Sequence, residues 1–136
     1  MRDTILPTWL QQMSKIAIVG STGLRDTVIR RVKERLEAAG HTVRTPAFDD
    51  QSELDSGAPE YDLMSRNREM VCWADEVVCC WDQRSVGTLV DVGMADTLGK
   101  PFHAAYLQPL TFANYLLQYQ ARNPAKTAMS VLGGEL

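Results

Sequence analysis

Four short apolar runs, each bounded by turn residues, set the strongest constraint on this chain. They are KIAIVG (residues 15–20), HTVRTPAF (41–48), EVVCCWD (76–82) and KPFHAAYL (100–107). The first is β-branched, carries no alternating polar residues and ends in Gly, which predicts a strand covered on both faces. The second is cut short by Pro46, since proline cannot donate to a ladder. Stretches with helical period lie between the runs. TVIRRVKERLEAAG sets Val28, Ile29, Val32 and Leu36 on one stripe, with charged residues opposite and a stop at Gly40. YDLMSRNREMVCWAD repeats through Leu63, Met64, Met70, Val71 and Trp73, VGTLVDVGMADTLG ends at Gly99, and TFANYLLQYQAR gives a last helix. The acidic stretch from Asp49 to Glu60 reads as a loop. Strand–helix alternation predicts an α/β single domain: a parallel sheet with helices on both faces, flavodoxin-like or Rossmann-like. The expected organisation is an N-terminal extension over 1–14, the α/β domain over 15–120 and a C-terminal tail over 121–136.

Composition narrows the partners. The 136 residues carry a formal net charge of -3 with no basic block, so no nucleic-acid surface is expected. No run is long and apolar enough to span a membrane, and MRDTILPTWLQQMS does not read as a signal peptide. The three cysteines, Cys72, Cys79 and Cys80, are odd in number, and two are adjacent within an apolar run. That spacing suits neither a disulfide framework nor zinc. Buried reduced thiols and a cytoplasmic home are expected, with no metal and no cofactor.

In parallel sheets ligands bind beyond the carboxyl ends of the strands. Those ends carry GSTGLRD, TPAFDD and WDQRSVGT, all rich in small or polar residues. Gly20-Ser21-Thr22-Gly23 joins the first strand to a helix, where free N–H groups attract anions and Gly admits close approach. It is neither a dinucleotide fingerprint nor a P-loop, and an ordinary strand-to-helix turn has the same look. Ser85-Val86-Gly87-Thr88 repeats the arrangement after the third strand, and the pair suggests a nucleotide or sugar phosphate. The bland reading is a helix cap at Ser85 or Thr88. Asp91 sits one turn further on among Val92, Met94 and Ala95. A buried acid is usually paired or functional, whereas a solvent-facing one near a helix start needs no further reason. Asp82 is placed to point into the mouth, and Asp75 to cap or turn. His41 and His103 read as structural, and Trp73, Trp81, Tyr115 and Tyr119 as core or interface.

Together these pieces resemble a known family, the nucleoside 2-deoxyribosyltransferases and the 2'-deoxynucleoside 5'-monophosphate N-glycosidases. The resemblance runs from Lys15 to Tyr106. IVGSTGLRD is similar to the family's Gly-Ser loop with a downstream Arg and Asp. NREMVCWADEVVCCWD is similar to its helix, Ala-Asp and strand, and SVGTLVDVGMADTLGKP to its G-x-x-x-E-x-G-x-A segment ending in Gly-Lys-Pro. The resemblance implies cleavage between sugar and base, with a carboxylate capturing the anomeric carbon. Asp91 stands where the family has that Glu, with the carboxylate withdrawn by about 1 Å, and a misplacement of about 1 Å can cost ~10²-fold. Asn67 stands where the family often has an Asp, and cannot act as acid or base. Ser85, six residues before Asp91, is similar to the serine of the monophosphate-using hydrolases, where the nucleoside-using transferases tend to hold an acid.

The resulting expectation is a nucleotide N-glycosidase or deoxyribosyltransferase-like protein acting on a (deoxy)nucleoside 5'-monophosphate. Gly20, Ser21, Ser85 and Gly87 would hold sugar and phosphate, Arg25 would assist the phosphate, and Asp91 would be the nucleophile or accept a sugar hydroxyl. The rival expectation is a non-catalytic nucleotide sensor or sequestering module on the same scaffold. A third, the cytokinin-activating phosphoribohydrolases, is weakened because their P-G-G-x-G-T-x-x-E run is reduced to Gly-Thr-x-x-Asp. Phe112, Tyr115, Leu116 and Tyr119 share a helical face, which suits an interface. The family resemblance implies a homodimer, with Asn114 the residue lent to a neighbour's site.

Overall fold

The computed structural model describes residues 13–46, 60–82, 84–108 and 122–133. Four parallel strands form one sheet in the order β2-β1-β3-β4. They are β1 (Lys15–Gly20), β2 (Thr42–Arg44), β3 (Glu76–Trp81) and β4 (Phe102–Leu107). Lys15 to Ala17 pair with Thr42 to Arg44, Ile16 to Gly20 with Glu76 to Cys80, and Val77 to Trp81 with Phe102 to Leu107. The last register slips between Cys79 and Cys80, so that Cys79 faces Ala104 and Cys80 faces Tyr106. The parallel α/β arrangement read from the strand–helix alternation is therefore the one observed, with the strand order of the flavodoxin-like class.

Alternation along the central strands builds two cores. Ala17, Val19, Val77, Cys79 and Trp81 pack on one face with Met70, Val71 and Ala74 of α2 (Glu60–Trp73) and Val92 and Ala95 of α3 (Val86–Thr97). Ile16, Ile18, Val78 and Cys80 pack on the other with Val32 and Leu36 of α1 (Arg30–Ala38) and Ala128 and Leu132 of α4 (Lys126–Leu132). Since successive residues of a strand point to opposite faces, a strand clad on both sides must be apolar throughout. β3 is buried at all six positions.

The predicted first helix begins less regularly than its apolar stripe suggests. A 3-10 turn (Thr22–Leu24) and a π turn (Arg25–Ile29) precede α1. Leu24 lies outside helical geometry at φ -100° and no side chain caps the π turn. The wide turn buries Val28 and Ile29 together above Val32 and Leu36. Gly40, at φ 96°, ends the helix in a conformation that a Cβ resists.

The segment expected to be a tail returns to the sheet. Pro124 bridges Phe102 in parallel, and residues 126–132 form α4. This helix is held at both ends by distant side chains. The buried Glu76 carboxylate accepts from the N–H groups of Thr127 (3.2 Å) and Ala128 (2.9 Å). Arg35 donates to the carbonyls of Val131 (3.1 Å) and Leu132 (3.3 Å). Both contacts meet backbone groups that a helix leaves unpaired at its ends. Lys100 does the same for α2, donating to Cys72 O (2.9 Å) and Ala74 O (2.7 Å). The predicted Asp49–Glu60 loop lies outside the described residues except for Glu60, as do Phe102-distal positions 109–121 with the predicted last helix. Among the described residues, no helix is long and apolar enough to cross a membrane.

Candidate functional site

The chain leaves β1 towards β2 on one side and β3 towards β4 on the other, so the crevice at their carboxyl ends is the topological switch point. A cavity of ≈ 260 Å³ opens there, lined by Ser21, Thr22, Gly23, Asp82, Arg84 and Ser85. Both small-residue loops singled out in the sequence thus reach one mouth, and Asp82 enters it as expected.

Ser21 is 1% exposed and joins the two strands. Its N–H donates to Cys80 O at 3.1 Å, and its Oγ accepts from Asp82 N at 3.2 Å. The Asp82 side chain accepts from Arg84 N at 3.0 Å. Desolvation is the largest single effect on the Asp82 carboxyl and acts upward, but the Ser21 hydroxyl, the Arg84 N–H and the Arg84 charge together outweigh it and hold the carboxyl below its ordinary value. Ser85 caps α3, its Oγ accepting from Thr88 N at 3.3 Å. That leaves the Ser85 hydroxyl proton available to a ligand. The Trp81 indole N–H donates to Ser85 O at 2.9 Å and fixes the turn from below.

Asp91 lies on the inner face of α3 with Thr88, Val92 and Ala95, and is 7% exposed. Burial pushes its carboxyl up to about 6, against the opposing charge of Arg68 on α2. Its charge also bears on Cys79, whose thiol is raised first by burial, then by Cys80 and Asp91. The acid therefore rests against the centre of the sheet, between β3 and α2. One turn before it, Thr88 is 2% exposed and its Oγ1 has no hydrogen-bond partner among the described residues. Buried hydroxyls are rarely left so.

Asp91 is not among the residues that line the cavity, and the remaining candidates also fall elsewhere. Gly20 is enclosed in β1 and does not line the cavity; a Cβ there would run into Cys80 O of β3. Its small size serves strand packing. Arg25 does not line the cavity either, and its guanidinium meets Asp26 at 3.2 Å. Gly87 is exposed in the first turn of α3. Asn67 is half-buried on α2, beside Arg68. Asn114 lies outside the described residues, as do Phe112, Tyr115, Leu116 and Tyr119.

Two basic residues were missed from sequence. Arg84 lies three residues past the end of β3, in the loop that borders the mouth. Arg68 follows Asn67, but its relation to Asp91 depends on how α2 and α3 pack. Asp75 acts as expected of a turn residue, accepting from Lys15 N at 2.9 Å and donating its own N–H to Lys15 O at 2.7 Å. His41 Nδ1 accepts from Ser14 N at 3.1 Å, and His103 is buried in β4. Trp81 is core, while the Trp73 ring is met by the cations of Lys15 (5.8 Å) and Arg44 (5.2 Å). Of the thiols, Cys79 and Cys80 are buried and Cys72 is exposed, which corrects the expectation for Cys72: it lies on the solvent side of α2. Cys80 is pushed up to about 12 by burial, so it stays a neutral thiol.

A family model described as a domain of unknown function (DUF4406) matches residues 16–104. No curated protein matches the chain.

Proposed function

The chain belongs to the DUF4406 family, and on that premise we propose that it is a nucleotide N-glycosidase or deoxyribosyltransferase-like enzyme acting on the base–sugar bond of a (deoxy)nucleoside 5'-monophosphate. The observation that carries this reading is Asp91, an acid buried on the inner face of α3 and pushed up to about 6. Such an environment leaves the carboxylate poorly solvated, ionised above about pH 6, and reactive towards a centre that develops positive charge. In the proposed reaction a carboxylate oxygen of Asp91 bonds to the anomeric carbon as the base departs. Water, or a second base, then breaks the sugar ester. Asn67 supplies hydrogen bonds but no proton, so the departing base takes its proton from water.

The monophosphate preference rests on the cap of α3. The Ser85 hydroxyl and Arg84 are the donors that line the mouth. A homodimer belongs to the same reading, supported by the apolar residues left exposed on α3, among them Val86 (76%) and Val90 (42%). Light scattering at micromolar concentration is expected to give a dimer, and a monomer overturns that part. A cytoplasmic setting is likewise proposed, from the three free thiols.

A second reading, binding without cleavage, is favoured by Asn67 and by the short reach of Asp91. One experiment separates the two. The protein is incubated with a panel of nucleoside 5'-monophosphates and the parent nucleosides, free base is followed by chromatography, and thermal stabilisation is measured alongside. The enzyme reading expects free base, and monophosphates bound more tightly than nucleosides by about 1.5–3 kcal/mol. Ser85→Asp keeps a good cap and is expected to erase that preference by charge repulsion. Stabilisation without free base supports the sensor, and neither effect overturns both.

A further inference from the structure

We propose that Asp82 reads the sugar of the ligand, its carboxylate accepting hydrogen bonds from the adjacent hydroxyls of a ribose, so that it selects ribose over deoxyribose in the nucleotide site. The inference rests on the nucleotide reading above and adds the residue that determines sugar specificity.

The argument begins with how firmly the carboxylate is held. Asp82 N is tied to Ser21 Oγ at 3.2 Å, its side chain to Arg84 N at 3.0 Å, and the Ser21 hydroxyl binds the carboxylate as well. Ser21 is 1% exposed, so this anchor is part of the packed junction between β1 and β3. A carboxylate has about four acceptor positions, and the two donors Ser21 and Arg84 leave capacity free at a residue that lines the mouth. The loop opposite does not close it off. A Cβ placed on Gly23 would lie 3.4 Å from Asp82 Oδ2, about van der Waals contact, so the Gly23 backbone borders the carboxylate without a side chain to cover it.

The chemistry of the occupant follows. With its pKa lowered, Asp82 is an anion that accepts and never donates at neutral pH. It repels a phosphate and needs O–H or N–H donors. The cavity, ≈ 260 Å³, is below the roughly 300–1,000 Å³ of sites that enclose a whole drug-sized ligand, which matches a pentose and its phosphate better than a complete nucleotide. Its lining is divided in kind: Asp82 supplies an acceptor, and Arg84 and the Ser85 hydroxyl supply donors. A ribose 5-phosphate is the complement of that division, with vicinal hydroxyl donors on the ring and an anion at C5. Removing a ring hydroxyl leaves a charged acceptor short of a partner, the kind of loss that polar sites discriminate most strongly.

The test measures binding by calorimetry for wild type and Asp82→Asn. The ligands are ribose 5-phosphate, 2-deoxyribose 5-phosphate, one nucleoside 5'-monophosphate in its ribo, 2'-deoxy and 2',3'-dideoxy forms, and inorganic phosphate. In the wild type each lost hydroxyl is expected to weaken binding about tenfold or more. In Asp82→Asn the series is expected to flatten to within about threefold, while inorganic phosphate binds more tightly because a negative charge has gone. Asn retains an oxygen for Arg84 N, so the fold is expected to hold. Should it melt early, Ser21→Ala serves instead: it frees the carboxylate without removing its charge, so the series shrinks while the gain in phosphate affinity expected of Asp82→Asn does not appear. A wild type indifferent to the hydroxyls, or an equally steep series in both variants, overturns the proposal. A steep series without base release upholds Asp82 and removes cleavage. Failure of every pentose phosphate to bind removes both.

Discussion

Gly20→Ala is expected to lower the melting temperature by about 10 °C or more, or to prevent folding. Gly20 ends β1 in register with Cys80, in the middle of the sheet. A Cβ on Gly20 would collide with the Cys80 carbonyl oxygen, and would lie 2.7 Å from Ile29 Cδ1. Ile29 can turn at modest cost, but the carbonyl cannot move alone. It accepts from Ser21 N at 3.1 Å, where β1 ends against β3. Relief requires the two central strands to part, which strips contacts from both cores at once. Overpacking a core costs about 1–3 kcal/mol even where side chains alone give way. Here backbone is the obstacle, so the upper end or beyond is expected. At about 4 °C per kcal/mol for a domain of this size, a thermal melt followed by circular dichroism reads the effect directly. Gly93→Ala is the control. No atom lies within 4 Å of a Cβ there, and Ala is better than Gly in a helix by up to about 1 kcal/mol. If Gly20→Ala melts with the wild type, the close approach of β1 and β3 has been misplaced.

The same residue shows where sequence reading stops. Gly20 and Ser21 read as a ligand loop because a Gly-Ser turn after a strand offers N–H groups. What neither spacing nor composition contains is that β3 passes close enough to require the glycine, and that the Ser21 hydroxyl is already engaged with Asp82. Those facts come from pairing residues about sixty positions apart. The strands themselves were legible because burial on both faces leaves no polar alternation, and the faces because α1 carries a clean apolar stripe. The switch-point mouth followed from the parallel order, which also put Asp82 in the right place. α4 was not legible. Its first residue follows Ala125, which offers no capping side chain, and the carboxylate that meets its N-terminus belongs to Glu76 on the far side of the sequence. Arg68 was missed for the same reason, since a charge felt by Asp91 depends on how two helices lie against each other. Asp91 could be singled out from its apolar neighbours and its place in a family-like segment, but its burial could not.

That burial makes the outcome of Asp91→Asn unusual, because one substitution is expected to raise stability and remove function together. Above about pH 7, Asp91 is ionised in both the folded and the unfolded chain. The folded environment disfavours that charge, since burial has pushed the carboxyl up to about 6 from 3.8. As pH falls through about 6, the folded protein takes up a proton that the unfolded chain does not accept until near 4. The wild type therefore gains stability over that window and loses the gain again as pH rises. Asn carries no charge at any pH and behaves like the protonated acid throughout. The variant should be more stable by about 1–2 kcal/mol above pH 7, after allowing for partial screening by solvent and Arg68. That corresponds to roughly 4–8 °C in melting temperature, and the difference should close as pH approaches 4. Function moves the other way. In the proposed reaction the nucleophile must be ionised, so wild-type kcat/KM for base release should rise with pH through about 6 and then level. Asn cannot form the sugar ester, and turnover should fall by about 10³-fold or more. Paired melts and rate measurements from pH 4 to 8 decide the matter. A variant that gains no stability at high pH shows that Asp91 is solvated after all, and one that turns over at the wild-type rate takes the nucleophile away from this residue.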